Sequence, residues 1–496
     1  MKVKSAGALF LAAVSLTLML ASCGTRLPDK AFSQSAQQLT TEGDGNTGDL
    51  GGDLGGLVDE TTNTTAAAGS TGGGSTGDNT GSNTNTGGAK TAEGPNKASD
   101  VGITETTITI GNITAENGVL GDAFAPAVRG LRAWVAYTNS KGGIRGRKLI
   151  LKTCDDREDR ARDLACAQQL VERDKVFALV STNTRTLGGA AQYLNDKAIP
   201  VIGFPITNSF ARYPHFFSAY PNGYARDGVT VGYKGNVVNS SGASRWFKQQ
   251  LGVSNAAVFA YDIDESKQAG EFIGQALKLE GFKVTQYLVS FAAPSFDQAV
   301  ADMQRQGTQI VFDAMDDGAN RKLCDAMARR NFQPKAKVST IVSMGDRVGD
   351  DYNDTCRNSV FIINQSLPYT KTSVPEIAKF RQAYARYQPG LDIHQWALES
   401  WGLANMFAEG IVSMGGSPTR VGLEKWLNAV VQYKADGMFV GLDWGKSNPA
   451  ATRVEDCFTI ARWLDAKGGW TEATDKYPFC YPDAYQFLTK ALEQGN

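Results

Sequence analysis

From about residue 103 onward, short runs of β-branched and apolar residues alternate with longer stretches that carry apolar residues on one helical face. Residues 106–113 (TTITIGNI) read as a strand, and in 125–137 the side chains Val128, Leu131, Trp134 and Val135 share one face. Residues 148–153 (KLILKT) form a second predicted strand, followed by a charged helix running through Cys166 to Val171. A strand at 177–180, a helix at 188–195 and a strand at 200–203 complete this half. The rhythm then restarts, with strands predicted at 256–261, 283–289, 309–312 and 338–342 and helices at 268–281, 296–305 and 321–330. Two late helices follow at 377–387 and 394–414. Strand and helix alternating at this spacing imply parallel sheets built by right-handed crossovers. The expectation is an α/β chain of two doubly wound halves in series.

The first hundred residues do not share this pattern. Lys2 and Lys4 precede an apolar run over 6–20, which is too short and too early for a comfortable membrane span. The run ends in Leu20-Ala21-Ser22-Cys23, followed by Gly24. That stretch resembles the lipobox of bacterial lipoproteins, which implies a signal peptide over 1–22 and a diacylglycerol on the sulfur of Cys23. From Thr41 to Gly94 the chain is dominated by Gly, Thr, Asn, Ser and Asp, and no aromatic residue occurs between Phe32 and Phe124. Such a segment buries too little apolar surface to offset its ordering entropy. Residues 23–102 are therefore expected to be a lipidated cysteine and a disordered tether.

Fifty Lys and Arg against 51 Asp and Glu leave a net charge of −1, which argues against a nucleic-acid partner and a polybasic membrane patch. His215 and His394 are the two histidines of the chain. A histidine-rich zinc centre is excluded, and enzymes that depend on imidazole lose ground. A CxxC pair is absent, and neither a metal nor a cofactor is expected. Besides Cys23 the chain holds Cys154, Cys166, Cys324, Cys356, Cys457 and Cys480. An even count in an exported chain points to disulfides, and six cysteines can pair in 15 ways. Pairing in sequence order is expected, because each neighbouring pair is separated by a short segment.

The stretch Asn139-Ser140-Lys141-Gly142-Gly143-Ile144-Arg145-Gly146-Arg147-Lys148-Leu149 resembles the pattern N…GGI.GR.L of type I periplasmic binding proteins, in their branch that binds branched-chain amino acids and amides. Ile199-Pro200-Val201-Ile202-Gly203-Phe204 with Thr207-Asn208-Ser209 is similar to that family's fourth strand and ligand loop. Phe296-Asp297, the helix after it and the strand at 309–312 resemble its second lobe. Taken in order, these matches span nearly all of 103–490. They imply two doubly wound parallel-sheet lobes joined by a three-segment hinge. Lobe 1 would comprise 103–220 and 361–450, and lobe 2 would comprise 221–360 and 451–490.

Ligands of open α/β sheets sit beyond the carboxyl ends of the strands. After the third strand come Ser181-Thr182-Asn183-Thr184, and after the fourth come Thr207, Asn208 and Ser209. In the family these loops hold the carboxylate of an amino acid, which makes Thr184 and Thr207 the leading candidates and Thr182 a further one. The second half offers acids after its strands: Asp262, then Asp313, Asp316 and Asp317 after Phe312, and Asp346. The resemblance implies that Asp346 pairs with a substrate ammonium, since a charge enclosed in a closing cleft must be paired. Where amino-acid binders carry aromatic residues after the 309–312 strand, this chain carries Asp316 and Asp317. That departure weighs against a branched-chain side chain and toward a more polar or polyfunctional solute.

The function implied is a lipid-anchored extracytoplasmic receptor, without enzymatic activity, that delivers a small solute to an ABC permease. A ligand-binding module of the same fold serving a sensor is the alternative.

Overall fold

The structure is a computed structural model, and it describes residues 94–220, 226–444 and 449–491. The expected signal peptide, Cys23 and most of the expected tether lie outside the described residues. Sheet I has the order β2-β1-β3-β4-β5 and is parallel throughout. Its strands are β1 (Thr107–Ile113), β2 (Lys148–Cys154), β3 (Leu179–Thr182), β4 (Val201–Gly203) and β5 (Phe216–Ser218). Sheet II has the order β6-β14-β12-β11-β10-β9-β7-β8, with β13 paired to β12. Its strands are β6 (Asn236–Ser240), β7 (Asn255–Tyr261), β8 (Lys283–Val289), β9 (Ile310–Ala314), β10 (Ala336–Ser339), β11 (Val360–Asn364), β12 (Arg453–Leu464), β13 (Gly469–Glu472) and β14 (Phe479–Lys490). Strands β7 to β11 of this sheet are parallel, and β12, β13, β14 and β6 extend it with antiparallel pairings.

The helices follow the same division. In the sheet I part of the chain, α1 (Gly121–Ser140), α2 (Arg160–Gln168), α3 (Ala191–Asp196) and α4 (Ser209–Arg212) connect the strands. In the sheet II part, α5 (Gly242–Leu251), α6 (Asp264–Leu279), α7 (Asp297–Gln306), α8 (Asp317–Arg329), α9 (Val348–Asp351) and α10 (Asp354–Arg357) do so. The chain then returns to sheet I with α11 (Pro375–Tyr387), α12 (Gln395–Ser413) and α13 (Arg420–Ala429). Helix α12 is apolar around most of its circumference and is accordingly buried, packed on α1, β3 and β4. Its close crossing with α1 depends on Gly130, where a Cβ would stand 2.2 Å from the Ala397 carbonyl oxygen.

The chain crosses between the two sheets three times: after β5, with 219–220 and 226–235 described; after β11, over 365–374; and before β12, with 438–444 and 449–452 described. Strand β11 runs in sheet II, so the second passage starts after Asn364 rather than at 361. The strand predicted at 338–342 occupies 336–339 instead. The Thr340 hydroxyl accepts from the Val342 N–H and caps a single 3-10 turn, Ile341–Ser343, which ends the strand.

The GGIRGR stretch ends α1 in a Schellman turn: the Gly143 N–H donates to Thr138 O at 2.8 Å and the Gly142 N–H to Asn139 O at 3.1 Å. Both glycines hold positive φ, and a Cβ on Gly143 would lie 1.8 Å from the Arg147 carbonyl oxygen. The buried Arg147 guanidinium donates to the carbonyls of Thr104 (2.7 Å), Lys97 (3.0 Å) and Gly416 (2.8 Å). Residues 94–102, expected at the end of the tether, are thus fastened to the fold; the Ser99 hydroxyl also donates to Pro418 O at 2.6 Å. The cysteines pair in sequence order: Cys154–Cys166, Cys324–Cys356 and Cys457–Cys480. The last pair joins directly opposed residues of β12 and β14.

Candidate functional site

The predicted site residues follow the carboxyl ends of parallel strands: Thr182 ends β3, Thr184 lies just beyond it, Thr207 to Ser209 follow β4, Asp262 follows β7, Asp316 and Asp317 follow β9, and Asp346 follows β10. On the sheet I side, β3 bulges between Val180 and Thr182, because Ser181 adopts a left-handed φ of +57°. Strand β4 comes close at this point through Gly203, where a Cβ would stand 2.5 Å from the Thr182 carbonyl oxygen. The Asn183 N–H donates to Ile113 O at 3.1 Å and the Phe204 N–H to Thr182 O at 2.9 Å, which binds the ends of β1, β3 and β4 together. Thr182 Oγ1 and both amide atoms of Asn183 are fully buried and have no hydrogen-bond partner among the described residues. Buried polar atoms in native proteins are nearly always paired, which makes this trio a candidate position for a bound partner. Phe204, whose N–H meets Thr182 O, belongs to an aromatic cluster. Trp396 stacks on Phe124 with ring centroids 5.8 Å apart and lies 5.8 Å from Phe204, which is 6.5 Å from Tyr220.

Thr184, one of the two leading candidates, is engaged by an acid of the loop after β2. Its hydroxyl donates to Asp156 Oδ2 at 2.5 Å, and the Thr186 hydroxyl donates to the same oxygen at 2.6 Å. Burial pushes the Asp156 carboxyl above the ordinary carboxylate range even so. Thr207 is buried, with its hydroxyl on Ser209 Oγ at 3.0 Å, and Asn208 sits half-buried at the start of α4.

On the sheet II side each predicted acid has a neighbour. Asp262 is exposed and accepts from the Phe291 N–H at 2.9 Å. Asp316 caps α8 through the Ala319 N–H at 3.1 Å and accepts the Tyr261 hydroxyl. Asp317 accepts the Tyr352 hydroxyl at 2.8 Å and pairs with Arg321 at 3.4 Å; burial raises its pKa. Asp346 accepts the Tyr369 hydroxyl at 2.7 Å and the Ile393 N–H at 3.3 Å. Burial and the neighbouring carboxylates push the three tyrosine hydroxyls up, so they stay protonated as donors. The loop carrying Asp346 is also paired to the start of α12: the Gln395 N–H donates to Met344 O at 2.9 Å, and His394 Nε2 lies 3.1 Å from Val342 O.

Over residues 107–469 the chain matches the family profile described as periplasmic binding protein. It belongs to that family. The protein is therefore a periplasmic binding protein of the type I architecture, a family of extracytoplasmic solute binders, and no helix of its described residues is long and apolar enough to cross a membrane. Among solved structures, it is similar to a fatty acid ABC transporter substrate-binding protein from Thermomonospora curvata (13% identity, covering 77% of this chain and 94% of that one, TM-score 0.59). It is also similar to a solute-binding protein of an ABC transporter from R. palustris in complex with benzoate (13%, 76% and 98%, TM-score 0.57). A leucine-binding protein from Thermotoga maritima MSB8 is a third such structure (11%, 74% and 97%, TM-score 0.57). At these identities the likeness is one of fold. No curated protein matches the chain.

No sequence mark sets Asn183 apart from its neighbours, although its amide atoms are among those left without a partner. Glu399, buried on α12 beside the passages, carries a faint mark. That mark is an acid in the middle of an apolar helical run, which must be hydrogen-bonded or neutral when buried.

Proposed function

We propose that this periplasmic binding protein is a lipid-anchored receptor, held to the cell membrane through Cys23, that captures a small polar solute and delivers it to an ABC importer. Its two lobes are built around sheets I and II and close over the solute. The observation that carries this reading is the buried, unpartnered set of Thr182 Oγ1 and the Asn183 amide at the carboxyl end of β3. An amide left with both its donor and its acceptor free suits a carboxylate, an amide or a related flat polar group, and the aromatic cluster of Phe204 and Trp396 on the same strand-end side would suit an apolar body. Thr207, Asn208 and Ser209 complete the sheet I side of the proposed site. Asp262, Asp316, Asp317 and Asp346 are the proposed partners for any cationic group, since a carboxylate has about four lone-pair sites and each of these keeps some unused.

Calorimetric titration of the purified protein tests the reading, with leucine, benzoate, octanoate and acetamide as probes. At least one should bind, and Asn183→Ala should weaken it by about tenfold or more, because a hydrogen bond to a charged group contributes about 1.5–3 kcal/mol. Absence of binding by every probe, together with no retained small molecule in native mass spectrometry, would overturn it.

A further inference from the structure

The three passages between the sheets are laced together, and one buried acid sits in the lacing. The Val440 N–H donates to Gln365 O and the Leu367 N–H to Met438 O, both at 2.8 Å, which pairs the third passage with the second. Trp444 Nε1 donates to Ser218 O at 3.1 Å and ties the third to the start of the first. Glu399, on α12 and wholly buried, receives the Tyr220 hydroxyl from the first passage on one oxygen and the Ser366 hydroxyl from the second on the other, at 2.6 Å.

The direction of these bonds follows from counting lone pairs. Ser366 Oγ already accepts from Asn364 Nδ2 at 2.9 Å and from Gln395 Nε2 at 2.7 Å. A hydroxyl has two acceptor sites and one proton, so Ser366 can only donate to Glu399. An ionised Glu399 accepts from both passages at once. A protonated Glu399 must place its proton on the remaining neighbour, the Tyr220 oxygen. That reverses the bond and leaves the Tyr220 hydroxyl proton without its acceptor.

We propose that Glu399 is a proton-operated latch in the hinge: ionised, it ties the first and second passages to α12 by two charge-assisted bonds, and protonated, it holds the first only by a reversed, weaker neutral bond. The groups facing it are Tyr220 from the first passage, Ser366 and Asn364 from the second, and Gln395 of its own helix acting through Ser366. Thr459 of β12 donates to Ser366 O at 2.6 Å from the other side of that residue. Of these groups Tyr220 alone titrates, and burial together with Glu399 holds its proton on throughout the physiological range. No charged side chain of the described residues moves Glu399; burial pushes its carboxyl up to about 7, so both forms are populated near neutral pH. The latch stands on this geometry without the receptor reading, while its consequence for solute capture, a lobe opening that varies with pH, rests on that reading.

Hydrogen exchange of the intact, solute-free protein tests the latch from about pH 5 to about pH 9, with rates corrected for intrinsic exchange. Protection of amides at 218–220 should fall up to about tenfold as pH drops through the titration, the difference between a charge-assisted and a neutral hydrogen bond. Glu399→Gln, which donates to Tyr220 and accepts from Ser366 at every pH, should abolish the step and hold the segment at its low-pH protection. Tyr220→Phe, which keeps the Ser366 bond, should remove the step at 218–220 while 365–367 stay protected, and it serves if Glu399→Gln fails to fold. An undiminished step in either variant, or no step in the wild type, would overturn the proposal. Solute binding plays no part in the readout, so the failure of either reading leaves the other standing.

Discussion

Lys337 on β10 and Asp313 on β9 form an ion pair with no exposure on either side chain. All three ammonium protons are used: on Asp313 Oδ2 at 2.8 Å, on Asn320 Oδ1 at 2.8 Å and on Ser339 Oγ. Ser339 Oγ in turn donates to the same Asp313 oxygen at 2.9 Å. Lys337→Met keeps much of the volume but leaves a buried carboxylate with a hydroxyl as its main support and leaves the Asn320 oxygen unpaired. Removing one partner of a buried pair costs about 3–5 kcal/mol, because the remaining charge is desolvated without compensation. The pair itself contributes far less, so Lys337→Met combined with Asp313→Leu should recover most of the loss. The assay is urea unfolding followed by circular dichroism, with disulfides intact and slopes compared between variants. A loss below about 1 kcal/mol in the single variant, or a double variant no more stable than the single, would refute the reasoning that the charge is paired and dry.

Two further outcomes are expected. Asp456 is buried, accepts from the Gly242 N–H at 2.9 Å, and has its carboxyl pushed up to about 6, chiefly by burial. A raised carboxyl contributes stability that is complete below the ordinary value of about 4 and is lost as pH rises through the folded value. The melting temperature should therefore decline over that window less steeply in Asp456→Asn than in wild type, and equal slopes would show that Asp456 does not carry the linkage. Cys23→Ala should leave unprocessed precursor and abolish incorporation of labelled fatty acid in cells; normal labelling of the variant would remove the proposed anchor.

The parallel strands were legible because burial on both faces makes them near-continuous apolar runs, as in Ala256-Ala257-Val258-Phe259-Ala260-Tyr261 of β7. The turn after α1 was legible because Gly142 and Gly143 occupy positive φ, where a side chain is strained. The antiparallel strands β12 and β14 were not assigned. Strand β14 contains Pro482 and Asp483, residues that read as a break in a strand. The structure accommodates them where the ladder slips between Val454 and Asp456, a bulge at which no N–H is required of Pro482. The role of Arg147 was also hidden. Its motif shows a glycine turn, whereas its three carbonyl acceptors come from residues as distant as Gly416.

For the site, residue type and position after a strand were legible, and partnership was not. A hydroxyl after β3 is equally able to hold a solute or a neighbouring acid. The choice at Thr184 is made by Asp156, 28 residues away, which the fold brings within 2.5 Å. The same holds for Asp316, taken by Tyr261 across 55 residues, and for Asp346, taken by Tyr369. Each tyrosine spends part of a carboxylate that the sequence offers to a ligand, and lowers what a cationic solute would gain there. Thr182 and Asn183 differ from these because of the backbone rather than their chemistry. The left-handed Ser181 interrupts the register of β3, and Gly203 lets β4 close against it, so the two following side chains are buried at the strand end without an internal acceptor or donor. Buried polar atoms without partners cost free energy that a bound solute can recover. On the proposed reading, the strand ends of sheet I, more than the acids of sheet II, would set where recognition begins.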